Sequence, residues 1–517
     1  MANSGAKPYD HLVIYLIVFV TGAAVMVIEM LGTRVIAPFY GASLYVWSSI
    51  ISVTMIALAL GYFSGGRLAD RYAGRGLSLV IALAGLCCLL IPWLNRTILL
   101  ATDPLGLRLG AFVSALVLFT PCLAFLGMVG PFAIRLATER LAGVGTSAGT
   151  IYAVSTIGSV LGTLALGFFL FPLFGSRAIL TGVALGLLFL AALVGIYERR
   201  VPERGSSGVA TPLVIVLSLL SLPWIQQAGS DRLSEKGFQI LMDRESLYGW
   251  VRVMDEPRHD MRLLTSDASV IGASRISNGA SLLNYQATIS LIPRIRPEIR
   301  RALIIGQGAG HLARDLLAEY GIVTDTLELD PAVAEAAESW FGFKPPGRAV
   351  VGDGRYEIRR LQGPYDLIVH DCFTGGSEPT HLLTRETFQQ LRGLLSENGV
   401  LAINYVAFFD AGRNPALASV MRTLAEVFPV QMVLRNDKDH DFNDFILLAS
   451  ASPVNLNASG LSPEQQQALT GRREEVLLSA GEVLTDDYNP LEHHQLRKSE
   501  QYRAMVVDWL GQDLMVR

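Results

Sequence analysis

Seven uncharged, predominantly apolar runs fill the first 230 residues of this chain, at 12–28, 41–66, 76–95, 109–134, 141–176, 178–197 and 205–230. A helix crosses the hydrocarbon core of a bilayer with about 20 mostly apolar residues, so each run can supply one crossing. Lipid offers no partner to a backbone amide, so these segments are expected to be helical. The helices of a water-soluble protein rarely give such runs in unbroken succession. The first run lacks a small-residue cleavage site and leads into Glu29 and Arg34, so no cleavable signal peptide is expected.

Polar residues in this half are few. Glu29 stands at the end of the first run, and an acid at that depth has two readings: an interfacial pair with Arg34 that fixes helix packing, or a ligand. The small residues of "GSVLGTLALG" (158–167) are expected to let helices approach closely. "GYFSGGRLADRYAGR" (61–75) resembles the loop between helices 2 and 3 of major facilitator transporters, but seven spans are too few for that twelve-helix fold. Of the four cysteines, Cys87, Cys88 and Cys122 lie in apolar runs and Cys372 beyond them, with no metal-ligand spacing; no metal is expected. A net charge of −4 gives no general footprint for nucleic acid.

Seven spans place the two ends of the apolar half on opposite sides. Lys7, Arg67, Arg71, Arg75, Arg135, Arg140, Arg199, Arg200 and Arg204 fall near the side of the N-terminus; Arg34, Arg96, Arg108 and Arg177 fall on the other. The positive-inside rule then puts the N-terminus in the cytoplasm and the rest of the chain outside. The expectation is nevertheless an inner-membrane protein with a cytoplasmic C-terminal half, because the ligands inferred below are cytoplasmic. Either the span count is off by one or the charge bias is overridden.

After residue 230 the pattern changes. Short alternating stretches such as "WVRVMD" and "MRLLTSD" over 238–292 read as a small β subdomain. Strands are expected at 302–306, 325–329, 348–352, 366–370, 399–405, 430–435 and 444–449. Helices are expected near 310–320, 331–340, 383–395 and 414–427. Such alternation predicts a mostly parallel sheet with helices on both faces, binding its ligand outside the carboxyl ends of the strands. The fold class is thus an α-helical membrane domain joined to an α/β Rossmann-like, methyltransferase-type domain. Its parts are a multispanning domain at 1–230, a β subdomain at 231–297, a nucleoside-binding catalytic domain at 298–450 and a helical extension at 451–517.

The stretch "RALIIGQGAGHLARDLL" joins a strand to a helix through Gly306, Gly308 and Gly310, with His311 where a dinucleotide fingerprint would place its last glycine. "LELD" then ends the second strand with Glu328 and Asp330, and an acid about 20 residues after the glycines can accept from ribose hydroxyls. Asp353 and Gly354 in "GDGR" end the third strand, where a carboxylate can accept from an adenine amino group. Together they point to an adenosine ligand without pyrophosphate, such as S-adenosylmethionine. Asp330 before Pro331 also fits a helix N-cap. "YDLIVHD" places Asp371 at the centre of the cleft, suited to orient and deprotonate an amine or to stabilise a sulfonium; His370 points away and is expected to be structural.

Residues 238–450, with "ESLYG", "LLNYQATISLIP", "ALIIGQGAG", "LELD", "GDGR", "YDLIVHD" and "LLTRETFQQL", resemble the spermidine synthases, the aminopropyltransferase branch of the S-adenosylmethionine-dependent fold. The whole chain, with "RVIAPFYG", "GMVGPFAIR" and "LTDDYNPLE", resembles bacterial proteins that fuse a multispanning domain to a spermidine-synthase-like domain. The resemblance implies a Glu328 bond to ribose, an Asp353 contact to adenine, Tyr285 and Gln286 lining the active site, and Asp371 as acid–base residue. Tyr248, Thr374 and Asp487 are further candidates for the substrate side. Departures matter equally: Ala309 and Thr374 stand where those enzymes carry Asp, Ala287 where they carry Glu, and Gly249 where they carry Gln. Burying a diamine's charges without partners is costly. Asp486 and Asp487 either fold over the cleft as replacements or cap the C-terminal helix.

Three functions follow. One is transfer of an aminopropyl group to an amine with release of methylthioadenosine. Another is acceptor-free cleavage of S-adenosylmethionine to methylthioadenosine and homoserine lactone, which the loss of Asp at 309 would permit. The third is nucleoside sensing or transport without catalysis. The expected small molecules are S-adenosylmethionine or its decarboxylated form, with an amine or with no second substrate. The expected surroundings are a lipid bilayer and no nucleic acid, with a homodimer left open.

Overall fold

The computed structural model describes residues 11–41, 43–72, 76–138, 143–199, 209–227, 236–373 and 376–516. It divides into two compact units, 1–231 with the last two residues, and Arg232–Met515.

Each apolar run of the first unit is helical: α1 His11–Tyr40, α2 Leu44–Arg71, α3 Leu77–Thr102, α4 Gly106–Ala137, α5 Val144–Ala165, the short α6 Phe171–Leu173, α7 Ser176–Arg199 and α8 Ala210–Gln227. Among the described residues five helical segments, not seven, are long and apolar enough to cross a membrane. The difference has two sources. α3 and α4 form one 61-residue helical stretch, Leu77–Ala137. It folds back at the 3-10 turn Asp103–Leu105 and Gly106, so its two legs pack together. α8 is the second source, with an apolar part of only Ala210–Pro223.

Small residues set the closest helix approaches. A side chain at Gly158 or Gly162 of α5 would run into the α1 backbone at Phe19 and Ala23, as expected for that stretch. Several polar groups inside the unit satisfy one another, as a medium without water favours. Tyr40 Oη, Thr102 Oγ1 and Ser114 Oγ form a chain at 2.9 and 2.6 Å linking α1, α3 and α4. Ser78 Oγ donates to Glu198 at 2.6 Å, joining α3 to α7. Arg34, expected to pair with Glu29, lies with its guanidinium 4.6 Å from the centre of the Phe171 ring.

The second unit begins with a four-stranded antiparallel meander, β1 Gln239–Glu245, β2 Trp250–Glu256, β3 Met261–Ser266 and β4 Ser269–Arg275. An eight-stranded sheet follows, made of β5 Arg301–Ile305, β6 Val323–Glu328, β7 Ala349–Val351, β8 Tyr365–His370, β9 Leu395–Phe408, β10 Val430–Arg435, β11 Phe442–Ser450 and β12 Arg473–Glu474. Its order is β12-β10-β11-β9-β8-β5-β6-β7. Strands β5 to β9 pair in parallel, while β11, β10 and β12 extend the sheet antiparallel. The expected strands and helices all occur, within a few residues of the expected bounds.

Alternation along the central strands explains the two faces. Leu303, Ile305 and Ile368 join one buried cluster with Phe388 and Leu391 of the helix Arg385–Leu394. Ala302, Ile304, Leu367 and Val369 join the other, with Leu312 and Leu316 of the helix His311–Tyr320. A strand covered on both faces reads as a continuous apolar run, and "ALII" and "LIV" are such runs. From β5 the chain steps outward one way to β6 and β7 and the other way to β8 and β9. The two connections diverge there, leaving a crevice at the strand ends, where ligands of such sheets bind.

Candidate active site

That crevice opens into a cavity of about 1100 Å³, at the upper end of the usual range for small-molecule sites. The ends of the parallel strands supply its floor: Gly306 after β5, Glu328 at the end of β6, Asp353 after β7 and Asp371 after β8.

Gly306 takes φ +92°, and a Cβ there would strike the backbone carbonyl of Asp371, so the close approach of the β5 and β8 ends requires glycine. Gly308 also lines the cavity, and its amide donates to Glu328 Oε2 at 3.2 Å. Glu328 Oε1 accepts from the Asp330 amide at 3.1 Å. Burial outweighs these bonds and pushes the Glu328 carboxyl up to about 7. Gly310, expected to bind nucleoside, is not among the cavity residues; it caps the helix His311–Tyr320 and packs against the Phe343 ring. Asp330 caps the helix Pro331–Trp340 through the Ala332 amide at 2.8 Å and also accepts from Ser246 Oγ at 2.5 Å. Asp353 caps Gly354–Ile358 through the Tyr356 amide at 2.9 Å while lining the cavity beside Gly354.

Asp371 is held from two sides. Tyr285 Oη donates to its Oδ2 at 2.7 Å, and Asn404 Nδ2 donates to its Oδ1 at 2.9 Å. Burial raises its pKa, opposed by those two bonds. Gln286 reaches Tyr285 Oη at 3.4 Å and accepts from Ser281 Oγ at 2.7 Å. The carboxylate is thereby fixed in direction and partly desolvated, the condition for a positioned acid–base group. His370 is fully buried, and burial holds its pKa down to about 4, so it is neutral.

Tyr248 lines the cavity as expected. Thr374 lies outside the described residues. Asp487 does not line the cavity, and its neighbour Asp486 accepts from Thr384 Oγ1 at 2.7 Å and pairs with Arg355. The "TDD" segment is thus tied to the start of the helix Arg385–Leu394, neither over the cleft nor on the C-terminal helix. Ala309 is buried in a cluster with Val251, Leu264 and Val333 and does not face the cavity.

Three contributors escaped sequence reasoning: Asn404 in β9, Asp444 in β11, and the helix Leu496–Leu510, which brings Tyr502, Met505 and Trp509 to the cavity. A polar side chain within each of the apolar runs "LAINYVAFF" and "FNDFILLAS" was the available signal for the first two.

No family model matches the chain. Polyamine aminopropyltransferase 2 of Streptomyces coelicolor is 26% identical over 417 residues, covering 75% of this chain and 72% of that protein. The polyamine aminopropyltransferase of Vibrio vulnificus is 41% identical over 114 residues, 21% of this chain and 38% of its own. This chain is related to the polyamine aminopropyltransferases. The Streptomyces match is longer than the α/β unit, so the relation to that aminopropyltransferase takes in part of the helical unit. An N-terminal histidine N-methyltransferase of Emericella nidulans is 28% identical over 313 residues, and this chain spans 55% of its length. A probable spermidine synthase from Corynebacterium glutamicum aligns with a TM-score of 0.41 at 19% identity, over 48% of this chain and 95% of that one.

Glu328 yields a prediction that separates binding from catalysis. Its folded pKa lies above its ordinary value, so the folded state holds a proton that the unfolded state has released. This group therefore favours the free folded domain at acid pH and ceases to do so as pH rises through about 7. Glu328→Gln should flatten that decline in the ligand-free melting temperature while raising KM for the nucleoside donor more than it lowers kcat. A fall in kcat with unchanged KM would remove Glu328 from the binding role.

Proposed function

We propose that this chain is a membrane-integral aminopropyltransferase that takes decarboxylated S-adenosylmethionine as donor and an amine as acceptor. The observation that carries the reading is Asp371, aimed into the cavity by Tyr285 and Asn404 at the end of β8, with Glu328 on the same floor. The ammonium form of the amine gives up a proton to the Asp371 carboxylate, and the lone pair so freed attacks the methylene carbon next to the sulfonium. The carbon–sulfur bond pair goes to sulfur, which leaves as the neutral thioether of methylthioadenosine. Since the donor is already activated, the protein's task is alignment and exclusion of water. Glu328 would accept from the ribose, and Asp353 from the adenine.

The acceptor-free cleavage of intact S-adenosylmethionine draws less support. It rests on Ala309 removing the repulsion that an Asp there would exert on the substrate's carboxylate, and Ala309 packs against the small sheet. The test is methylthioadenosine release by the full-length protein with either donor, with and without 1,4-diaminobutane. Amine-dependent release from the decarboxylated donor is expected. Release from intact S-adenosylmethionine alone would establish the cleavage reading instead, and no release from either donor would sink both.

For the membrane unit, counting α3 and α4 as separate crossings and omitting the short α8 gives six. Both ends then lie on one side, and the positive-inside rule makes that side the cytoplasm. A six-span topology would remove the conflict of a seven-span count, since the α/β unit of a plasma-membrane protein would then share the cytoplasm with its nucleoside donor. A reporter fused at residue 230 should read as cytoplasmic; an external reading would overturn this topology.

A further inference from the structure

One wall of the cavity presents hydrogen-bond acceptors that no donor among the described residues meets. β9 and β11 run antiparallel with Asn404 opposite Ile446 and Val406 opposite Asp444. Opposed residues share a face, as do residues two apart in a strand, so Asn404 and Asp444 are same-face diagonal neighbours about 7–8 Å apart at Cα. Both line the cavity.

Asn404 is only 9% exposed, and its Nδ2 is committed to Asp371. That bond fixes the amide's orientation, since the opposite one would set oxygen against a carboxylate. Its Oδ1 is then buried in the cavity wall without a partner among the described residues. The Asp444 side chain likewise receives no hydrogen bond there, and burial together with the charges of Asp371 and Glu378 raises its carboxyl to about 6. The cation acting on it is Lys498, which is engaged in a buried ion pair with Glu378. Two of the three hairpin acids at the cavity are occupied: Asp437 accepts from the Asp439 amide and pairs with His440, and Asp441 accepts from the Asp410 amide; the third, Asp439, is exposed to solvent.

The buried Asn404 Oδ1 is costly to leave without a donor, the half-buried Asp444 carboxylate stands beside it, and an ammonium group supplies three N–H donors and the opposite charge. We propose that Asp444, with Asn404 Oδ1 beside it, holds the distal ammonium of a linear diamine or polyamine whose reacting nitrogen lies at Asp371. The inference rests on the aminopropyl-transfer reading and names its acceptor class. It also accounts for the absence of carboxylates at Ala287 and Thr374, because the negative charge comes from β11 instead.

Calorimetry on the full-length protein in detergent, with methylthioadenosine bound, tests this directly. The parent should bind 1,4-diaminobutane at least about 10-fold more tightly than butylamine, the scale of one charge-assisted bond. Asp444→Asn should abolish that preference and leave methylthioadenosine affinity unchanged, while Asp444→Glu should keep part of it. A parent without the preference, or an Asp444→Asn protein that retains it, would overturn the proposal. Should Asp444→Asn fail to bind the nucleoside, the parent's diamine-to-monoamine ratio and the Asp444→Glu protein decide. Binding needs no turnover, so a parent that prefers the diamine but releases no methylthioadenosine would sink the transferase reading and leave the amine site standing.

Discussion

Asp371→Asn should lower methylthioadenosine formation by roughly 10²-fold or more, the usual scale for a positioned acid–base group. The substitution keeps the shape that Tyr285 and Asn404 grip and removes the basicity and the charge. Donor binding should survive, because Gly308, Glu328 and Asp353 are untouched. The pH profile of the parent supplies a second readout. Burial raises the Asp371 pKa, so the ionised base is lost as pH falls at a point above the ordinary carboxylate range. The acid limb of kcat should therefore lie above about 4, and the residual activity of the Asp371→Asn protein should lack it. Parental turnover by a folded, nucleoside-binding Asp371→Asn protein would remove the acid–base assignment and, with it, the central step of the transfer mechanism.

Gly306→Ala should be nearly as damaging, although it deletes no functional group. A non-glycine residue at φ +92° is strained, by about 1–2 kcal/mol. The added Cβ also meets the Asp371 carbonyl, which is backbone and cannot rotate away. The strand ends must separate, and Asp371 moves with them. A displacement of about 1 Å in a reacting group can cost 10²-fold, so turnover should fall on that order, with donor affinity down by at least about 10-fold. Gly321→Ala is the matched control: it too has positive φ, at +67°, but nothing lies within 4 Å of a Cβ there. It should lower the melting temperature slightly and leave turnover unchanged. Equal activity of the two variants would show that the close approach at Gly306 is not what places Asp371.

The membrane-scale helices were legible because hydropathy over about 20 residues is a local property. So were the strands of the α/β unit, whose apolar runs, turn glycines and terminal acids recur with the spacing of strand, turn and helix. Glu328, Asp353 and Asp371 could be placed at one end of the sheet because parallel strands bring their carboxyl ends together wherever they sit in the order. Whatever depends on register or on a distant segment was decided only by the tertiary structure. Asn404 and Asp444 are 40 residues apart and meet because β9 and β11 pair antiparallel in one register. A slip of one residue would turn Asp444 to the other face. Gly310 looks like a ligand residue in the glycine turn and Ala309 stands where the resemblance expects Asp, yet the packing of Phe343 and of the small sheet turns both from the cavity. The "TDD" segment was equally ambiguous until Thr384 and Arg355 claimed Asp486. Local pattern states which residues are buried and in what kind of element; which of them face one another is set by pairing and crossover, and that information is spread over the whole chain.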